Sequence, residues 1–281
     1  MNTHSPAAAE SGASATDVFR QSGRSGGGAD IPLERAQALI GDAIKAMNDI
    51  AEKHAMTYEE FNILKGWLIQ VGEDGEWPLW LDVFLEHTIE DIVTRDREGS
   101  KGSIFGPYYV PGAPVIQSPA TVPMRDDEKG TPLKFTGRIA DVDGSALTDA
   151  TIELWQADER GYYSQFAPDI PEWNLRVTVP VDSEGNFEIN TIQPAPYQIP
   201  TDGSTGRMIA AIDGHAWRPA HLHILVKAPG HQDLIQQLYF PGDEHNDDDV
   251  AQAVKPELML DPQPDGEGGR IAVYNYALDK A

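Results

Sequence analysis

The sequence predicts a mainly β protein in which a helical N-terminal domain precedes an antiparallel β-sandwich. Three observations carry that expectation. Apolar residues recur at helical spacing between Leu33 and Arg95, and nearly all of the 21 prolines lie beyond residue 105. From about Gly99 onward, short alternating apolar runs separated by turn signals replace the helical stripes. At roughly 150 residues per domain, a chain of 281 residues holds about two units. The expected divisions are a polar, disordered tail over 1–30, a helical domain over 31–105 and the sandwich over 106–281.

Taken in order, the tail has no apolar core behind a basic start and reads as mobile rather than as a signal peptide. Only Val18-Phe19 is apolar enough to dock, and the expected address is cytoplasmic. Leu33, Ala36, Ile40, Ala43, Met47 and Ile50 then form one stripe of a helix ending near His54. Thr57-Tyr58-Glu59-Glu60 has the pattern of a helix cap with acid in the first turn. Phe61, Leu64, Leu68 and Val71 continue that helix to the breaks at Gly72 and Gly75, and a third helix spans Leu79 to about Arg95. By themselves these residues fit either a small bundle or a dimer face. Strands follow at 133–139, 150–155, 176–181, 186–189, 221–226 and 237–240. Asp141-Val-Asp143-Gly144 and Asp182-Ser-Glu-Gly185 supply turns.

Composition excludes several function classes. With 21 Lys+Arg against 45 Asp+Glu the formal net charge is −24, which opposes binding to nucleic acid or an anionic membrane surface. No stretch approaches about 18 apolar residues, so no membrane span is expected. The absence of cysteine removes disulfides, iron–sulfur clusters, thiolate metal sites and thiol nucleophiles. A bound metal is left with His, Tyr, Asp or Glu.

The chemistry-bearing segment is Trp217-Arg218-Pro219-Ala220-His221-Leu222-His223. In a strand, residues i and i+2 share a face, so His221 and His223 present two imidazoles together. Alone, such a pair reads first as structural. Tyr163 in Gly161-Tyr162-Tyr163-Ser164, and Tyr197 between the stiffening prolines of Pro194-Ala-Pro-Tyr197-Gln-Ile-Pro200, add two phenols. Two phenolates with two imidazoles suit a hard trivalent ion, above all Fe(III). Its charge would draw the phenols down from about 10. The run Asp243-Glu-His245-Asn-Asp247-Asp-Asp249 lacks the glycine and terminal acid of a calcium loop and reads as a solvated acidic turn.

These residues, in this order, resemble the intradiol ring-cleavage dioxygenases, of the catechol 1,2-dioxygenase type. The matching stretches are 102–109, 154–158, 161–166, 172–176, 193–203, 217–223 and 237–240, with 274–276 also similar; the likeness runs from about residue 33 to the end. It implies one Fe(III) per subunit held by Tyr163, Tyr197, His221 and His223. In this resemblance Tyr197 and His221 are axial, and Tyr163 is chosen over Tyr162 because it precedes Ser164. It also implies Arg218 and Gln237 beside the reacting carbon, with Tyr197 taking a substrate proton as it leaves the metal. Leu79, Asp82, Ile104, Phe105, Gly106, Pro107 and Tyr108 would form the substrate wall. The implied reaction is cleavage of catechol by O2 to cis,cis-muconate, in a homodimer joined through the helices with a phospholipid in a tunnel there. Phe105 before Gly-Pro is a feature shared with hydroxyquinol enzymes, and the stretch Gly75 to Asp82 resembles the chlorocatechol branch. The alternatives are therefore chlorocatechol or hydroxyquinol cleavage, a non-catalytic β-sandwich binding module, or a zinc hydrolase using the histidine pair. Gln156 stands where the family usually has His.

Overall fold

The computed structural model describes residues 31–281, so the expectations for residues 1–30 lie outside the described residues. Helix α1, Leu33–Lys53, buries none of its residues, and its stripe of Leu39, Ile40, Ile44, Met47 and Ile50 is exposed. Helix α2, Tyr58–Asp74, starts on a reciprocal cap. Thr57 Oγ1 accepts the Glu60 N–H at 3.2 Å, while Glu60 Oε2 accepts the Thr57 N–H at 2.8 Å. It ends where Gly75 turns left-handed at φ 72°.

The single helix expected from Leu79 to Arg95 is instead two, α3 over Trp77–Phe84 and α4 over Glu86–Val93. Leu85, at φ −126°, breaks the run. Periodicity registers only a helix's own ladder. Here Glu86, at the start of α4, gives its carboxylate to backbone amides at Phe105 and Gly106, a tertiary demand that leaves no local pattern.

The strands are β1 (Ala120–Thr121), β2 (Pro132–Asp141), β3 (Thr151–Trp155), β4 (Arg176–Pro180) and β5 (Asn186–Ile192). They continue as β6 (Tyr197–Gln198), β7 (Trp217–Arg218), β8 (His221–Lys227), β9 (Leu234–Tyr239), β10 (Gln263–Pro264), β11 (Arg270–Val273) and β12 (Tyr276–Leu278). One sheet, β4-β3-β8-β9, is antiparallel throughout, as expected. The other, β1-β5-β2-β11-β10 with β12 also on β2, is mixed: β11 and β12 run parallel to β2, and β1 parallel to β5. Parallel pairing needs a long crossover, and the chain between β2 and β11, which carries the other sheet, supplies one. Buried residues of both sheets, among them Phe135, Ile139 and Ile189 from one and Ile152, Leu222 and Ile224 from the other, join a single core.

Helix α5, Ser204–Ala211, has no counterpart in the sequence expectation. Its first turn is capped from afar, because Glu76 Oε2 accepts the Thr205 N–H at 2.7 Å and the Ser204 hydroxyl at 2.9 Å. Gln156 also acquires a role. Fully buried, it donates to Ile192 O at 2.9 Å and accepts from Thr191 Oγ1 at 2.9 Å, tying the end of β3 to the end of β5.

Candidate functional site

The site grows from the register of β8. His221 and His223 point to one side of a strand whose residues 221–226 are all buried, and His223 lies opposite Gln237 on β9 and Trp155 on β3. The Trp155 and His223 rings stack at 4.8 Å. In the separate β6–β7 ladder Tyr197 lies opposite Arg218. Tyr163 comes from the turn after β3, where Asp158 Oδ1 accepts the N–H groups of Arg160 and Tyr162. Gly161 is required there twice over: its φ is +85°, and an added Cβ would stand 2.7 Å from Tyr197 Cβ.

These elements bring four donors together. His223 Nε2 lies 3.0 Å from Tyr163 Oη and 3.1 Å from His221 Nε2. The Tyr197 ring is 5.4 Å from that of Tyr163 and 5.6 Å from that of His221. All four residues are buried, whereas Tyr162 is 53 % exposed. Pro219 O accepts from His221 Nδ1 at 2.7 Å, which leaves the His221 Nε2 lone pair facing His223 Nε2, while Gln237 Nε2 lies 3.4 Å from His223 Nδ1.

Burial dominates the electrostatics. It lowers His221 to about 3, helped by the Arg218 charge, and lowers His223 well below the usual histidine range, helped first by like-charge repulsion from His221 and then by Arg218. Burial pushes the Tyr163 phenol far up, reinforced by Tyr197 and Tyr108. Tyr197 is also raised by burial, against the opposing pull of Arg218. The bare protein thus gathers two phenols and two uncharged imidazoles in one buried cluster, a donor set that a cation would complete.

The expected substrate wall lies alongside. Leu79, Ile104 and Tyr108 belong to the same buried cluster as Tyr163 and Tyr197, and Pro107 is buried too. The Tyr108 ring stacks flat on Tyr163 at 4.3 Å, and Phe105 packs 5.6 Å from Trp155. Asp82 is pushed up to about 7 by burial and then by Glu86. Gln237 Nε2 donates to Ile104 O at 3.2 Å, so the strap 104–108 is wired to the site.

The acidic run corrects an expectation. Asp249 is buried and pairs with Arg218 through both oxygens at 2.9 Å, and it also accepts the amides of Ala251 and Ala253. Asp243 accepts the Ala220 N–H at 2.9 Å. Only part of the segment is solvated, because its ends fold back on the strand that carries the histidines. Arg218 and Tyr239 both donate to Gln237 Oε1, each at 2.8 Å, which turns the amide nitrogen toward His223. Sequence reading missed Asp249, Tyr239 and Glu86 as parts of this constellation. An acid in an acidic run or on a helix face carries no mark of its distant partner.

Among the described residues His215, His245 and Asp248 form a second group with metal-ligand atoms in reach of one another. The Trp217 N–H donates to His215 Nδ1 at 3.2 Å, which places the ring proton on Nε2, the atom 3.2 Å from Asp248. Bonded so, the group is a clasp between two loops.

Comparison with known proteins follows the same outline. The family described as catechol dioxygenase N terminus matches residues 34–101, and the dioxygenase family matches residues 104–279. A chlorocatechol 1,2-dioxygenase of Rhodococcus opacus is 39 % identical over 250 residues, covering 87 % of this chain and 97 % of its own. The catechol 1,2-dioxygenase of Acinetobacter baylyi is 32 % identical over 234 residues, covering 79 % and 73 %. The crystal structure of a 3-chlorocatechol 1,2-dioxygenase from Rhodococcus opacus superposes with a TM-score of 0.86 at 43 % identity, covering 89 % of this chain and 100 % of that one. Matched along both its helical and its β portions, the chain belongs to the intradiol ring-cleavage dioxygenases.

Proposed function

We propose that Tyr163, Tyr197, His221 and His223 hold one ferric iron per subunit, and that the chain opens catechol-type 1,2-diols between their hydroxyl-bearing carbons, chlorinated catechols foremost. The observation that carries this is the convergence of two buried phenols and two buried, uncharged imidazoles whose Nε2 atoms lie 3.1 Å apart. The donor set fits the ion: hard phenol oxygens favour a trivalent metal, imidazole tolerates it, and no soft ligand competes. Bound iron would supply the charge that lowers the phenols and the electron-poor centre that opens a chelated diol to O2.

The chain's own groups divide the remaining work. Tyr197, opposite Arg218, stands to accept a substrate hydroxyl proton on its phenol oxygen. The buried Arg218 guanidinium stabilises negative charge developing on the ring, where a preorganised charge acts most strongly. Gln237 and the strap 104–108 close the site against water. Both atoms of O2 enter the muconate product, so no external reductant is consumed. The preference for chlorinated rings is supported by five relatives named chlorocatechol 1,2-dioxygenase at 31–39 % identity, three of them at 36–39 %, against 31–32 % for two named catechol 1,2-dioxygenase. Unsubstituted catechol, the sequence expectation, is the comparison substrate.

The subunit is proposed to work as a homodimer. Ile40, Ile44, Met47, Ile50, Phe61 and Ile89 are exposed apolar residues of the helices, of the kind a second copy would cover. A groove of about 950 Å³ between α2 and α5, walled by Ile63, Leu64, Trp67 and Met208, suits the hydrocarbon of a phospholipid.

Metal analysis with a visible spectrum tests the site. The purified protein should contain iron and show a red tyrosinate-to-iron band that Tyr163→Phe weakens or shifts. O2 uptake should be stoichiometric with ring opening and faster on chlorocatechol than on catechol or hydroxyquinol. A colourless, iron-free protein, or O2-independent hydrolysis, overturns the proposal.

A further inference from the structure

Beyond the four donors and Arg218, the strap 104–108 is bonded to nearly every part of the site. The Ile104 carbonyl accepts from Gln237 at 3.2 Å, and the Tyr108 carbonyl accepts from Arg176 at 2.9 Å. Those bonds use the strap's carbonyls. Its amides face the other way, toward helix α4, where a single side chain takes two of them. Glu86 Oε1 accepts the Phe105 N–H at 2.6 Å and Oε2 accepts the Gly106 N–H at 3.1 Å. The left-handed Gly106, at φ +73°, brings its backbone so close that an added Cβ would lie 3.4 Å from both Gln237 Nε2 and His223 Cε1. Glu86 therefore grips, from the helical portion, the stretch of backbone that lies against His223 and Gln237.

We infer that Glu86 is a positioning residue that sets how large a ring substituent the site accepts, by holding the Phe105–Gly106 peptide down over His223 and Gln237. The inference rests on the reading of the site as an intradiol centre for catechols. A carboxylate is the apt group, because two parallel N–H groups match its two oxygens and a charged acceptor makes stronger bonds than a neutral one. Burial raises the Glu86 carboxyl, and the two amide bonds and then the Arg218 charge pull it back toward the ionised form that makes both bonds. Removing the carboxylate leaves two amides without acceptors, and the strap gains most by lifting toward water. Lifting carries Gly106 away from the two side chains it nearly touches, so the pocket widens where a ring substituent would point.

The test uses the full-length, iron-loaded chain with Glu86→Ala and the isosteric Glu86→Gln. Amide hydrogen exchange at Phe105 and Gly106 needs no turnover; it should rise at least tenfold in Glu86→Ala and by less in Glu86→Gln. The ratio of kcat/KM for 4-tert-butylcatechol to that for catechol should rise at least fivefold in Glu86→Ala. That rise should come mainly from a higher KM for catechol, with the visible band of the substrate-free enzyme unmoved. Glu86→Asp, which keeps a carboxylate on a shorter arm, should recover part of the wild-type ratio. Unchanged amide exchange, or faster exchange with a ratio within twofold of wild type in Glu86→Ala and Glu86→Gln, overturns the inference. Should Glu86→Ala not fold, the Glu86→Gln ratio decides alone. A wild-type protein that opens no catechol refutes the intradiol reading itself, and the amide exchange still reports whether Glu86 holds the strap.

Discussion

Replacing Asp249 with alanine strips Arg218 of the carboxylate that pairs with it. Both side chains are nearly sealed from solvent, at 3 % for Arg218 and 2 % for Asp249, and two bonds of 2.9 Å join them. An exposed ion pair of that geometry contributes about 0–1 kcal/mol. Removing one partner of a buried pair costs about 3–5 kcal/mol, because the surviving charge has lost its compensation. The upper half of that range applies here, since the amides of Ala251 and Ala253 lose their acceptor in the same substitution. The assay is a double-mutant cycle in denaturant with Asp249→Ala, Arg218→Met and the double variant. The double variant should recover much of the loss, with a coupling of about 2 kcal/mol or more. Single losses that add to within about 0.5 kcal/mol would refute the reasoning, since additivity marks residues that do not interact. The pH dependence has a fixed sign. Burial raises the Asp249 carboxyl, but the Arg218 charge and the bonds it accepts outweigh this and hold it below the ordinary range. The pair's contribution is thus complete above the free carboxyl value of about 4 and fades as pH falls through the folded value. Asp249→Asn should flatten that acid limb.

Asp82 behaves oppositely, being raised to about 7 by burial and Glu86. Its contribution is full below the free value of about 4 and disappears as pH climbs to about 7. The denaturation midpoint of Asp82→Asn should therefore fall less than that of wild type across this interval. Gln156→Ala orphans the Ile192 carbonyl and the Thr191 hydroxyl and should cost about 1–3 kcal/mol in denaturant, with kcat and the visible band unchanged. Ile44→Asp places a charge in the exposed stripe of α1; light scattering should show a mass near half that of wild type, and an unchanged mass would remove α1 from the dimer contact.

Much of this protein is legible in its residues because the relevant physics is local. The α2 cap at Thr57 and Glu60, the Gly75 stop, and the His221/His223 alternation each depend on neighbours within four positions. The helix stripe of α1 is equally readable, but what covers it is not, since an apolar face has the same pattern against its own domain or against a second copy. The break at Leu85, helix α5 and the parallel strands β11 and β12 escape the sequence because each answers a partner far along the chain: the amides at 105–106, the carboxylate of Glu76, and β2.

By itself, the sequence determined which residue types are present to bind a metal, and that two histidines share one strand face, because backbone alternation is a property of consecutive residues. Only the tertiary structure decided that Tyr163, from a turn, and Tyr197, from a different ladder, close on those histidines. It alone decided that Asp249 and Glu86, which look like solvent-facing acids, grip Arg218 and the backbone at 105–106. A charge in a sequence has no address. Its function is set by what burial places within about 3 Å of it, and burial is a property of the whole fold.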